Sequence, residues 1–141
     1  MVKDMDERSN REIAEKAFRD WHDGTGSITD LLAEELRGTL VGRSQVSKIF
    51  DSKEQFIGEV LGPFGARFSQ PFRPVAVRGI YADGDTVVVV WEGEGTRRDG
   101  KPYKNTYAWC MRCHEGLVVE ATAFFDSIAF NELWSEVTPP N

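Results

Sequence analysis

The chain has 141 residues, 40% of them hydrophobic, 28% charged and 11% aromatic, which excludes a disordered polymer and suffices for one self-supporting core, so a single domain over 1–141 is expected. A net charge of −6 offers no basic footprint for a phosphate backbone or an anionic lipid surface, and excludes nucleic acid and membrane as expected partners. The charged N-terminus has no signal-peptide core, no apolar run reaches the length of a bilayer span, and the two cysteines suit free thiols, so a cytoplasmic location is expected.

Ser9 and Glu12 form a capping box, after which Ile13, Ala14, Ala17, Phe18 and Trp21 recur at helical spacing. The pattern predicts a helix to about Asp23, stopped by Gly24 and Gly26. A short second helix over 28–36, carrying Leu31 and Leu32, then leads into an extended piece over 37–41. Gly38 stands in that piece, and a glycine inside a strand marks a bulge or a place where something needs room. Ser52 and Gln55 repeat the capping box ahead of Phe56, Ile57, Val60, Leu61 and Phe64, which define the most apolar helix. Pro71 and Pro74 forbid its continuation, and Phe68 and Phe72 lie on the connection to a strand over 75–81. Beyond the Asp83-Gly84-Asp85 turn come three alternating runs, 86–94, 104–113 and 117–126, and a last helix from about Ser127 with Ile128, Leu133 and Trp134 apolar.

Helices followed by a meander of long strands define an α+β fold with helices packed on one face of a curved antiparallel sheet. His114, Glu115 and Gly116 suit a three-residue loop, which sets Tyr107 opposite Ala123 and Trp109 opposite Ala121, large against small. A two-residue turn on Glu115 and Gly116 instead sets Trp109 opposite Thr122. Cys110 and Cys113 with His114 have metal-ligand composition, but residues three apart on a strand face opposite sides, so no metal is expected. Gly93, Gly95 and Gly100 do not match a dinucleotide fingerprint, and no cofactor is expected.

The run Asp99 to Trp109, DGKPYKNTYAW, followed by Glu120 to Asp126, EATAFFD, resembles the SnoaL-like branch of the nuclear transport factor 2-like (ketosteroid isomerase-like) superfamily. The likeness extends to 81–90 and to the first helix ending in Trp21, essentially the whole chain. It implies a cone-shaped curved antiparallel sheet wrapped around N-terminal helices, with a ligand entering between the first helix and the hollow face. By that resemblance the hollow carries Val90, Glu92 and Glu94, then Asn105, Tyr107 and Trp109, then Ala121, Ala123 and Phe125. Phe18, Trp21, Gly38, Leu40, Phe56, Phe64 and Phe68 complete the expected lining. Val87, Val89 and Trp91 are then sent outward, where relatives commonly pair, and a homodimer through them is the expectation.

These motifs are specific for the fold and not for an activity, since the superfamily holds isomerases, polyketide cyclases, epoxide hydrolases, dehydratases and noncatalytic modules. Epoxide hydrolases that resemble the chain hold an arginine between two aspartates, where this sequence has Val90, Glu92 and Ala123. The region of the ketosteroid isomerase base carries Gly38 and Leu40. Many SnoaL-like chains have a tryptophan at the position of Gly38, so the resemblance implies an enlarged pocket here.

Glu92 is the leading candidate for acid–base chemistry: a carboxylate among Val90, Tyr107, Trp109 and Phe125 would lose hydration and its pKa should rise. The competing reading is a rim carboxylate paired to Arg112 or Arg97. Asp126 is a second catalytic candidate, though at a strand-to-helix boundary it, or Ser127, would serve as a cap. His22, one turn beyond Phe18, is a third, set against a plain helix-end cation. Tyr107 and Asn105 can offer hydrogen bonds to a carbonyl or enolate. Two functions therefore stand open. One is a pocket for a hydrophobic, carbonyl-bearing or polycyclic small molecule with cofactor-free proton transfer, as in an isomerase, cyclase or lyase. The other is a noncatalytic ligand-binding or dimerisation module.

Overall fold

The computed structural model describes residues 2–140. Helix α1 (Val2–Asp23) buries Ala14 and Phe18 and half-buries Ile13, Ala17 and Trp21, so the apolar stripe faces the sheet. It begins well before Ser9, which lies inside it, because the charged residues ahead of Ser9 are good helix formers and let the helix propagate. It ends where expected: Gly24 is left-handed at φ 77°, and the N–H of Thr25 donates to Asp20 O at 2.8 Å.

The helix expected over 28–36 is instead one 3₁₀ turn (Ile28–Leu31) followed by strand β1 (Leu32–Leu40). β1 pairs in parallel with the strand of 117–125, and that ladder overrides the helical spacing of Leu32 and Leu36. β2 (Ile49–Phe50) pairs antiparallel to β1. The apolar helix is real but broken: α2 (Lys53–Phe56), a π-helical stretch (Ile57–Leu61) and α3 (Gly62–Gly65) run in succession. Ser52 caps it, its Oγ accepting from Gln55 N at 3.0 Å.

β3 (Phe68–Asp83) takes Phe68 and Phe72 into the sheet, where a connection was expected. It is an edge strand with four register shifts, which tolerates Pro71 and Pro74 and bends the sheet. β4 (Thr86–Arg97), β5 (Pro102–His114) and β6 (Leu117–Phe125) complete one sheet in the order β2-β1-β6-β5-β4-β3, antiparallel except for β1 with β6. The molecule is thus a mixed α+β fold with a curved six-stranded sheet and helices on its inner face.

The expected facing of β4 is inverted. Val87, Val89 and Trp91 are fully buried against α1, while Val88, Val90, Glu92 and Glu94 point to the outer face. Four valines in a row place methyls on both sides, so alternation alone does not choose. Trp91 chooses: it lies opposite Tyr107, and their rings stack at 4.4 Å with planes 12° apart.

The β5–β6 turn is the two-residue form, with Glu115 at φ 51° and Gly116 at φ 81°. A bulge then adds Val119, since Cys113 pairs with Val118 but Arg112 with Glu120. Tyr107 consequently faces Phe125, not Ala123, and Trp109 faces Ala123, not Ala121. The faces are those expected and the partners are displaced by two. α4 (Ser127–Glu136) closes the chain, tied down by Arg67, whose side chain donates to Val137 O, Pro63 O and Trp134 O and stacks 3.8 Å above the Trp134 ring.

Two glycines predict opposite responses. A methyl on Gly93 would run into the Phe72 ring and come within 2.8 Å of Trp91 Cζ3, so G93A should lose about 1–3 kcal/mol in urea unfolding. A methyl on exposed, helical Gly58 meets nothing within 4 Å, so G58A should gain up to ~1 kcal/mol.

Candidate functional site

A cavity of about 500 Å³ lies between the inner sheet face and the helical stretch of 53–65. Its floor is short: Gly38 pairs with Ala121, and Leu40 with Ala123. Its roof is ringed, with Phe56, Phe64, Val60 and Leu61 reaching down. A Cβ built on Gly38 meets only Ala121 O, at 4.0 Å, so the space above it is open. Rings on all sides cannot collapse into the gap left by a glycine and two alanines, because the aromatic side chains are already locked against one another.

The wall is chemically narrow. Its polar residues are Ser27, Thr29, Thr39, Ser69 and Tyr107, with aliphatic groups, aromatic rings that include the indoles of Trp21, Trp91 and Trp109, and one thioether, Met111, around them. Ser27 and Thr29 hydroxyls bond each other at 2.9 Å, and Ser69 Oγ donates to backbone carbonyls of β4. Among the described residues the wall holds no carboxylate, imidazole, ammonium or guanidinium, and no cluster of His, Cys, Asp and Glu is placed to hold a metal.

The three catalytic candidates lie elsewhere. Glu92 stands on the outer face, a third exposed, with its carboxylate 2.6 Å from Arg78 Nη2. This corrects its expected place among Tyr107, Trp109 and Phe125; the surface ion pair of the competing reading is present, with Arg78 in place of Arg112 or Arg97. Val90 is turned outward with it. Asp126 is the N-cap of α4, its Oδ1 accepting from Ile128 N at 2.9 Å. His22 is exposed at the end of α1 and donates from Nδ1 to Pro74 O at 2.7 Å, beside a groove on the outside of α1 formed with Glu15, Arg19 and Val77.

Of the expected lining, Trp21, Gly38, Leu40, Phe56, Phe64 and Phe68 are in the wall. So are Tyr107, Trp109, Ala121, Ala123 and Phe125. Phe18 sits behind it, edge-on to Trp21, Trp91 and Trp109. Asn105 is buried but fully engaged: its Oδ1 accepts from Thr106 N (2.8 Å) and Asp126 N (3.1 Å), and its Nδ2 donates to Tyr103 Oη (2.7 Å) and Asp126 O (3.1 Å). It holds the β6–α4 corner and offers nothing to a ligand. Leu36, Trp91 and Met111 were not singled out as lining. Met111 was legible as the next same-face residue after Tyr107 and Trp109.

Tyr103 and Tyr107 hydroxyls lie 3.1 Å apart. Burial pushes the Tyr103 phenol above the ordinary tyrosine value, and burial followed by repulsion from Tyr103 pushes Tyr107 well above it, so both stay neutral. Burial likewise raises the Cys113 thiol, which is inert there.

With its curved sheet, inner helices and apolar cavity, the chain belongs to the SnoaL-like domain family, whose model matches residues 14–121. Solved structures of the nuclear transport factor 2-like type share the fold. Bal32a from a soil-derived mobile gene cassette is 20% identical with a TM-score of 0.74, over 92% of this chain and 98% of that one. A putative SnoaL-like polyketide cyclase from Jannaschia sp. CCS1 is 19% identical with a TM-score of 0.71, over 95% of each chain. TerC co-crystallised with polyporic acid is 20% identical with a TM-score of 0.70, over 90% of this chain and 98% of that one. At these identities the likeness is one of fold. Among curated proteins none matches the sequence.

The open space over Gly38 predicts that G38W puts its indole into the cavity. Binding of the neutral fluorophore N-phenyl-1-naphthylamine should weaken at least roughly tenfold, the scale of a lost ~1.4 kcal/mol contact, with no loss of thermal stability. Unchanged binding in G38W would show that the space is not part of the ligand site.

Proposed function

We propose that the protein binds a neutral, predominantly apolar small organic molecule in the cavity between its sheet and the 53–65 helices, as a binding module and not as an acid–base enzyme. The observation that carries this is the composition of the wall, in which rings and aliphatic groups surround a few uncharged polar residues and no charged one. Apolar area of this kind favours a ligand by roughly 25 cal/mol for each Å² it removes from water. Proton transfer, the rival reading, would need a titrating group within hydrogen-bond reach of the ligand, and Glu92, His22 and Asp126 are each engaged outside the wall. TerC, of the same fold, was co-crystallised with polyporic acid, which favours a small organic molecule as the ligand class.

A second copy of the chain is the proposed partner, through the outer sheet face. Val87, Val89 and Trp91 are not available to it. The outward set is Tyr81, Val88, Val90, Ala108 and Phe124, with Tyr81 60% and Phe124 46% exposed. The ion pairs Arg78–Glu92 and Arg112–Glu120 flank this apolar strip, the arrangement of a hydrophobic interface centre with a charged rim. Among the described residues no helix is long and apolar enough to cross a membrane. The two free cysteines favour a reducing compartment, and we place the protein in the cytoplasm.

Titration with N-phenyl-1-naphthylamine should give saturable fluorescence enhancement, identical in wild type, E92Q and H22A. Absence of saturable binding would overturn the pocket reading, and weakened binding in E92Q would return Glu92 to the site. Sedimentation should give the mass of two chains for wild type and of one for F124D; a wild-type monomer would remove the proposed partner.

A further inference from the structure

The roof of the cavity is held at its two ends. At one, Ser52 caps α2 and Phe56 lies edge-on to Phe50 at 5.4 Å. At the other, Arg67 Nη1 donates to Pro63 O at 2.8 Å, and the Phe64 ring stacks on Phe130 with planes 2° apart. α2 rests on β1 and β2 and α3 on β3, while the backbone of 57–61 spans between them over the hollow.

That span is the π turn, closed by a bond from the Gly62 N–H to Ile57 O, five residues back. A Cβ on Gly62 would stand 3.0 Å from the same carbonyl, so glycine lets the wide turn close without crowding. Gly58, Glu59 and Gly62 are exposed, so backbone groups released there pass directly to water. Among the described residues the turn makes one ion pair, Glu59 with Lys48 from the loop ahead of β2, and this latch is on the surface. Beneath the turn, Val60 is 5% exposed and belongs to one packed cluster with Leu40, Ala123 and Phe130. The exposed part of the wall lies elsewhere, at Ser27, Gly65, Ser69 and Pro71. The floor at Leu40 and Ala123, one same-face position beyond Gly38, is therefore covered while the turn is closed.

Resting on the proposed binding function, we propose that the π turn is the gate of the cavity. Opening breaks the Ile57–Gly62 bond and lifts Val60 from Leu40 and Ala123 while both ends of the roof stay fixed. The ligand passes to the inner floor, and the turn recloses over it.

Stopped-flow mixing with N-phenyl-1-naphthylamine tests the gate. In wild type the observed rate should level off with rising dye concentration, at the rate of opening. A rate that stays linear in dye means that the cavity stands open, which overturns the inference and leaves the pocket in place. Gly58 and Lys48 lie outside the cavity wall. G58A, whose methyl meets nothing within 4 Å and which reduces the backbone freedom gained on opening, should slow association and dissociation alike by about two- to fivefold. K48M releases the latch without altering the roof and should speed both about twofold. The dissociation constant should hold in each variant, because the turn is closed in the free and the liganded protein and opens only between them. Rates unmoved in both variants, or a dissociation constant that follows the association rate alone, overturn the gate. Hydrogen exchange needs no variant: the amides of 58–62 should exchange faster than those on the buried face of α1 and should slow when dye is bound. Protection equal to that of α1 overturns the inference. Failure of the dye to bind saturably defeats the binding function and the gate together.

Discussion

The Trp91 ring is the contact around which the protein is assembled. It is fully buried, stacked on Tyr107, and met by Phe18 and Trp21 from α1 and by Trp109 from β5 at centroid distances of 4.9–5.2 Å. Burying an indole removes roughly 200 Å² from water, about 5 kcal/mol as an upper bound. Reversing β4 would expose that ring and bring Glu92 inside without its arginine, where an unpaired carboxylate costs several kcal/mol more. Both terms have one sign. Gly93 is the complement of the tryptophan: by withholding a side chain it lets Phe72 lie against Trp91 from the neighbouring strand.

The same cluster explains why a cavity persists next to a dense core. Rings pin α1 to β4 and β5, and the sheet curves away from them toward β6 and β1, where the inward residues shrink to Ala121, Ala123 and Gly38. The roof spans the gap with a helix that changes pitch, α to π to α, around Gly58, Gly62 and Gly65. A π turn widens the helix locally, so Phe56 and Phe64 at its two ends reach over the hollow toward Phe50, Phe68 and Phe130 instead of filling it.

Much of the fold was legible because its signals are local and redundant. Gly24 stops α1, Ser52 caps α2 and Asp126 caps α4, each through a hydrogen bond formed within a few residues. The resemblance carried by DGKPYKNTYAW and EATAFFD placed Tyr107, Trp109, Ala121, Ala123 and Phe125 on the face they occupy. Failures occurred where a distant partner decides. β1 is a strand because β6 pairs with it, and its own leucines at helical spacing do not show that. Val119 is a bulge residue that leaves no mark in a run of alternating side chains, so the partners slipped by two while the faces held. Glu92 was misplaced because the valine run before it is apolar at every position, and only the volume of Trp91 set against Gly93 could have resolved its parity.

That misplacement changes the kind of chemistry the site supports. A glutamate within the hollow would have put a titrating group beside a ligand; without it, the polar residues of the pocket are hydroxyl-bearing side chains and three tryptophans. Burial keeps Tyr103 and Tyr107 protonated, so they act as fixed dipoles and not as acids near neutral pH. Asn105 ties this hydroxyl pair to the backbone: its Nδ2 donates to Tyr103 Oη, which lies 3.1 Å from Tyr107 Oη. Its carbonyl oxygen is spent on the backbone at the β6–α4 corner, which also carries the Asp126 cap. The corner that starts the last helix is thereby joined through Asn105 to the buried tyrosines of β5, so one amide holds the strand-to-helix junction and the core at once.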